Sequence, residues 1–159
     1  MISAAADGNA AVKSLVYVAA FAPDTGESLG SLSAQPVEHP IAPLELDQVP
    51  TAEGADLYIK QDAFRAQFAA DVKAGTAADM AATQRPLNAA AFGEPATVAA
   101  WKTVPSWYLV AKQDKAIAPD LERFMAKRAK AHTTEINSSH AAMVSHPGAV
   151  ADVIEAATR

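Results

Sequence analysis

The chain has no cysteine among its 159 residues. Disulfides, zinc–thiolate sites and thiol catalysis are thereby excluded. Histidine is scarce, at four residues, so any imidazole chemistry rests on few candidates. Positive charge is also short: 13 Lys and Arg against 18 Asp and Glu leave a net charge of −5. Non-specific binding to nucleic acid or to an anionic membrane needs a basic face, and this balance argues against both. No apolar run approaches the ~20 residues that cross a bilayer. The opening, MISAAADGNAAVK, has no basic leader and is weakly apolar, so a cytoplasmic chain without a secretory signal is expected. Aromatic residues make up only 6%. Much of the 50% hydrophobic content is alanine, so the core is built from small side chains.

What is present suits one globular domain. VKSLVYVAAFAP is a continuous apolar, β-branched run ending at Pro23. Such a run fits a strand buried on both faces, as in a parallel sheet. The preceding ISAAAD, stopped by Gly8, reads as a short helix. Residues 24–56 are rich in Pro, Gly and Ser without a clear period and read as loop. LYIKQDAFRAQFAADV starts strand-like and turns helical, with Phe64, Phe68 and Val72 on one face. TAADMAATQ reads as a further helix with Thr76 as its cap. WYLVA, residues 107–111, is a second buried strand. APDLERFMAKRAKAH is a helix with Pro119 in its first turn, Asp120 and Glu122 near its positive end, and Lys127, Arg128 and Lys130 near its negative end. Leu121, Phe124 and Met125 are expected to form its buried stripe. TTEI is a short third strand. PGAVADVIEAATR is a closing helix with Val150, Val153, Ile154 and Ala157 inward.

Strand, helix, strand, helix in the last third predicts an α/β fold with a parallel sheet. Chemistry in such sheets lies beyond the carboxyl ends of the strands. Asp114 follows the strand ending at Ala111, and His140 follows the strand ending at Ile136. Both should therefore emerge at one edge. A carboxylate there can accept the hydrogen bond of the imidazole and stabilise its protonated form, which makes His140 the candidate base and Asp114 its orienting acid. The other histidines read as structural: His39 in a Pro-rich loop, His132 at a helix end, and His146 at a helix start. Asp114, His140 and His146 could in principle make a facial metal set, but their spacing matches no ligand pattern, and no metal or cofactor is expected.

These residues carry a resemblance. WYLVAKQDKAIAP around Asp114, INSSHAAMVSHP around His140, and the strand LVYVAAFAPDTGES resemble the C-terminal half of an α/β-hydrolase. The nearest branch is the small-esterase group that also contains plant methylesterases and hydroxynitrile lyases. The resemblance implies about three parallel sheet strands with flanking helices in residues 1–23 and 101–159, and a loop and helical cap insertion in 24–100. It implies a Ser-His-Asp triad acting on a small carboxylic ester, with Asp114 and His140 as acid and base. The lyases carry a lysine directly after the histidine, where this chain has Ala141, and that favours ester hydrolysis.

In the family, the serine sits in a Gly-x-Ser-x-Gly turn between a strand and a helix, and a backbone amide after it helps bind the oxyanion. MISAAADGN resembles the helix that follows this turn. The expectation is therefore a truncated chain without its nucleophile, inactive alone, whose exposed sheet edge favours self-association. GESLG, Gly26 to Gly30, imitates the motif and offers Ser28. It lies well past the strand end near Ala20 and beyond Pro23, however, and GSLSAQPVEHP after it, interrupted by Pro36 and Pro40, reads as broken rather than helical. Two alternatives remain open: a minimal hydrolase using Ser28, and a non-catalytic binding or interaction module whose pocket is lined by Trp101, Trp107, Phe64 and Phe92.

Overall fold

A computed structural model describes residues 2–52 and 54–159. Helix α1 (Ile2–Ala6) leads into strand β1 (Leu15–Val18). After α2 (Leu29–Ser33) come β2 (Leu46–Thr51) and β3 (Gly54–Ile59), then α3 (Gln61–Phe68) and α4 (Ala74–Thr83). The two-residue β4 (Leu87–Asn88) and α5 (Ala90–Gly93) close this stretch. The last third runs β5 (Ser106–Ala111), α6 (Pro119–Arg128), β6 (His132–Ile136), α7 (Ala142–Ser145) and α8 (Pro147–Ala156).

Strands β1, β5 and β6 form a parallel sheet in the order β1-β5-β6. The central β5 has both neighbours, and Tyr108 through Ala111 are buried. Alternation sorts its side chains. Tyr108 and Val110 join Leu15 and Tyr17 on one face, where Leu121 and Met125 of α6 cover them. Leu109 takes the other face with Val150 and Val153 of α8. The Tyr17 and Tyr108 rings stack at 5.7 Å across the register pair that β1 and β5 make. The sheet thus lies between two helical layers, as its continuous apolar strands require.

The buried stripe of α6 differs from expectation. Leu121, Glu122, Met125 and Ala126 face the sheet, whereas Phe124 is 43% exposed. The helix turns a carboxyl inward, and Phe124 lies outside under the Arg128 guanidinium at 5.0 Å. Ile154 likewise points out of α8, and His132 begins β6 instead of ending a helix.

Residues 24–56 are not all loop. They contain α2, β2 and the start of β3, and β2-β3-β4 make a small antiparallel sheet. Leu46 pairs with Ile59 and Val49 with Asp56 in that hairpin. β2 is exposed on nearly every residue, so no apolar alternation announces it. Helix α4 begins at Ala74, which leaves Thr76 inside it and not at the cap. Helices α3 and α4 close over their own cluster of Phe64, Ala69, Val72, Ala77 and Ala81. That cluster also takes in Ala141, from the far end of the chain.

Candidate active site

The parallel pairing of β5 and β6 determines what meets at their carboxyl ends. Ala111 and Ile136 are register partners. Beyond them the ladder continues: Lys112 N–H donates to Ile136 O at 2.9 Å and Gln113 N–H to Ser138 O at 3.0 Å. The two loops therefore leave the sheet side by side, and Asp114 and His140 meet. His140 Nδ1 lies 2.6 Å from Asp114 Oδ2. The Asp114 side chain is fully buried, and that of His140 is 20% exposed.

Asp114 is fixed from below. Its Oδ1 accepts the amides of Ala116 at 2.6 Å and Ile117 at 3.0 Å, a turn closed by its own carboxylate. Oδ2 is then directed at the imidazole. With Nδ1–H on the carboxylate, Nε2 is the basic nitrogen. The described residues form no hydrogen bond to it.

Glu122 lies behind this pair and was not singled out in the sequence as a site residue. It is completely buried. Its Oε2 accepts Ala111 N–H at 3.0 Å. Oε1 has no partner within ordinary hydrogen-bond geometry, yet Glu122 is close enough to Asp114 for the two carboxyls to interact. Burial pushes the Glu122 carboxyl up to about 10, and the neighbouring Asp114 carboxyl raises it in the same direction. Glu122 is thus held towards its neutral form beside the Asp114 carboxyl. An acid at the start of a helix suggests a solvated side chain near the dipole, so only the inward turn of α6 exposes this role.

His140 forms part of the wall of a cavity of about 770 Å³ between the sheet edge and residues 29–92. Leu57, Phe64, Phe68, Met80, Phe92 and Ile117 make the cavity chiefly apolar. Of the aromatics expected there, Phe64 and Phe92 are present. Trp101 is instead in the main core, where its indole N–H donates to Pro23 O at 2.9 Å. Trp107 lies against His132, with ring centroids 4.7 Å apart and the planes tilted by 30°. Phe68, expected only as part of a helix face, has its ring 4.6 Å from the His140 ring.

Ser28 is occupied elsewhere. It caps α2, and its Oγ accepts Ser31 N–H at 3.1 Å while Ser31 Oγ accepts Ser28 N–H at 2.9 Å. A helix does follow Ser28, contrary to the reading of a broken segment. But Ser28 is an extended capping residue in a loop and does not sit at the tip of a strand. It is absent from the cavity wall. His146 lies 3.4 Å from Asp71 and 2.9 Å from Ser145 Oγ, away from the Asp114 pair. Among the described residues no three His, Cys, Asp or Glu side chains converge as a metal site. No helix among them is long and apolar enough to cross a membrane.

The sequence matches the alpha/beta hydrolase family over residues 1–153, and the chain belongs to that family. Several solved structures share its fold. A methylesterase from Arabidopsis superposes with a TM-score of 0.70 at 15% identity, covering 92% of this chain and 59% of its own. A pyrethroid hydrolase from Sphingobium faniae gives 0.62 at 20%, covering 91% and 60%. An extracellular α/β-hydrolase from a Paenibacillus species gives 0.67 at 17%, covering 91% and 61%. The chain thus spans about 60% of the length of these relatives. None of the curated proteins matches it.

Proposed function

We propose that this chain is the acid-and-base portion of a serine esterase acting on small carboxylic esters. The observation that carries the reading is the 2.6 Å pair of Asp114 and His140 at the wall of an apolar cavity. In the proposed reaction a serine hydroxyl attacks the ester carbonyl and gives its proton to His140 Nε2. Asp114 stabilises the imidazolium and keeps the ring in the productive tautomer. The proton then passes to the departing alcohol. Water enters by the same route in reverse and releases the acid.

The serine comes from outside the described residues. Among the described residues β1, like β6, has a strand partner on one side only. A strand laid parallel along its free edge, ending in Gly-x-Ser-x-Gly, brings a hydroxyl to the carboxyl end of the sheet, where His140 lies. Residues 29–92 then act as the cap that shapes the cavity for the ester. Ala141 supports hydrolysis over lyase chemistry. It is fully buried in the cluster beneath that cap, where a lysine would be an unpaired buried charge.

Hydrolysis of p-nitrophenyl acetate tests the reading. The chain alone is expected to show no turnover. The chain joined to a segment carrying a strand and a Gly-x-Ser-x-Gly turn, from an upstream reading frame or a related esterase, is expected to be active and to lose activity in His140→Ala. Turnover by the chain alone, abolished by Ser28→Ala, would establish a minimal hydrolase instead.

A further inference from the structure

Several contacts join the His140 loop to residues 64–72, and their hydrogen bonds use no group that the proposed reaction needs. Asp71 Oδ2 accepts the Ser139 amide at 3.1 Å. Asp71 Oδ1 accepts the Ser139 hydroxyl. On the other side of the histidine, Ala141 N–H donates to Phe68 O at 3.1 Å. The Ala141 methyl packs into the cluster of Phe64, Ala69 and Val72, while the Phe68 ring lies against the imidazole itself. The residues immediately before and after His140 are thus both held by one short segment, 68 positions away in sequence.

We propose that Asp71 is a positioning residue, a latch that fixes the His140 loop through Ser139 and so keeps the imidazole seated on Asp114. The inference deepens the esterase reading by making the base competent only while residues 64–72 are docked. Three features carry it. Both oxygens of the Asp71 carboxylate reach Ser139, the immediate neighbour of His140, and Oδ2 also lies 3.4 Å from His146 Nδ1. Ser139 is 2% exposed, so its hydroxyl has little access to water as a replacement partner. The loop has no regular structure of its own between β6 and α7, so external bonds must set its course. Partial burial pushes the Asp71 carboxyl up, but the hydrogen bonds from Ser139 and Ser145 prevail and hold it below the usual range. The latch is therefore ionised at neutral pH.

The His140 Nδ1–H proton, hydrogen-bonded to Asp114, gives a far-downfield NMR resonance that reports the pair directly on this chain, with no nucleophile required. Asp71→Ala is expected to broaden it and to raise its exchange with solvent about fivefold, as loss of a hydrogen bond implies. Ser139→Ala, which removes only the hydroxyl contact, is expected to act in the same direction. Asp71→Asn is expected to preserve the resonance, because an amide can accept the Ser139 N–H and donate to its hydroxyl oxygen. Circular dichroism identifies any variant that fails to fold, and Ser139→Ala and Asp71→Asn carry the test if Asp71→Ala does so. An unchanged resonance in folded Asp71→Ala, or in Ser139→Ala, would overturn the latch. So would loss in Asp71→Asn as large as in Asp71→Ala, since the charge alone would then be acting. If the resonance is missing from the unsubstituted chain, the esterase reading itself fails, which separates the two.

Discussion

At the scale of single residues, Glu122 gives a test independent of catalysis. In an unfolded chain its carboxyl loses its proton near the ordinary value of 4.5; in the folded one it keeps it to about 10. Between those limits the folded state binds more protons, so stability falls as pH rises. Glutamine never ionises, and it keeps the size and neutrality of the protonated acid beside Asp114. Glu122→Gln is therefore expected to be more stable than the parent at pH 8. The gap should widen with pH by up to about 1.4 kcal/mol per unit and close towards pH 4.5. Urea denaturation at several pH values measures this; a constant gap would show that Glu122 is ionised in the fold. The legibility of the site divides along the same line. The meeting of Asp114 and His140 was legible because each follows a strand of one parallel sheet by a few residues. The roles of Glu122 and Asp71 were not, because they arise from a helix rotation and from a partner distant in sequence.

At the scale of elements, the sheet was legible and the segment over it only in part. β1 and β5 are apolar enough on both faces to be recognised alone. β2, with Pro50 inside it and solvent on most residues, carries no such pattern, and its strand state depends on pairing with β3. Phe124 was misplaced for a related reason. Hydrophobicity says that a side chain is apolar, not which way its helix is turned, and α6 satisfies Phe124 with Arg128 while burying Glu122. The reciprocal bonds of Ser28 and Ser31 give α2 a measurable dependence on its cap. Ser28→Ala is expected to lower stability by about 1 kcal/mol in thermal unfolding and to leave labelling by a serine-reactive probe unchanged. A loss of labelling would instead give Ser28 a chemical role.

At the scale of the whole molecule, the edge of β1 that is unpaired among the described residues carries a prediction for behaviour in solution. Its unpaired backbone groups sit beside the half-buried Val16 and Val18. Like the outer edge of β6, it is a template for another strand. The isolated chain is expected to self-associate, with a molar mass by light scattering that rises with concentration. Joining a segment that covers the edge is expected to return it to a monomer. A constant monomer mass for the isolated chain across the range would mean that the edge is already protected. The same joined protein provides the most direct test of the catalytic assignment. Treated with a fluorophosphonate and mapped by mass spectrometry, it is expected to carry the label on the Gly-x-Ser-x-Gly serine, and to lose it when His140 is replaced by alanine. Full labelling without the imidazole, or labelling of Ser28 in its place, would contradict the assignment of His140 and Asp114 as the base and its support.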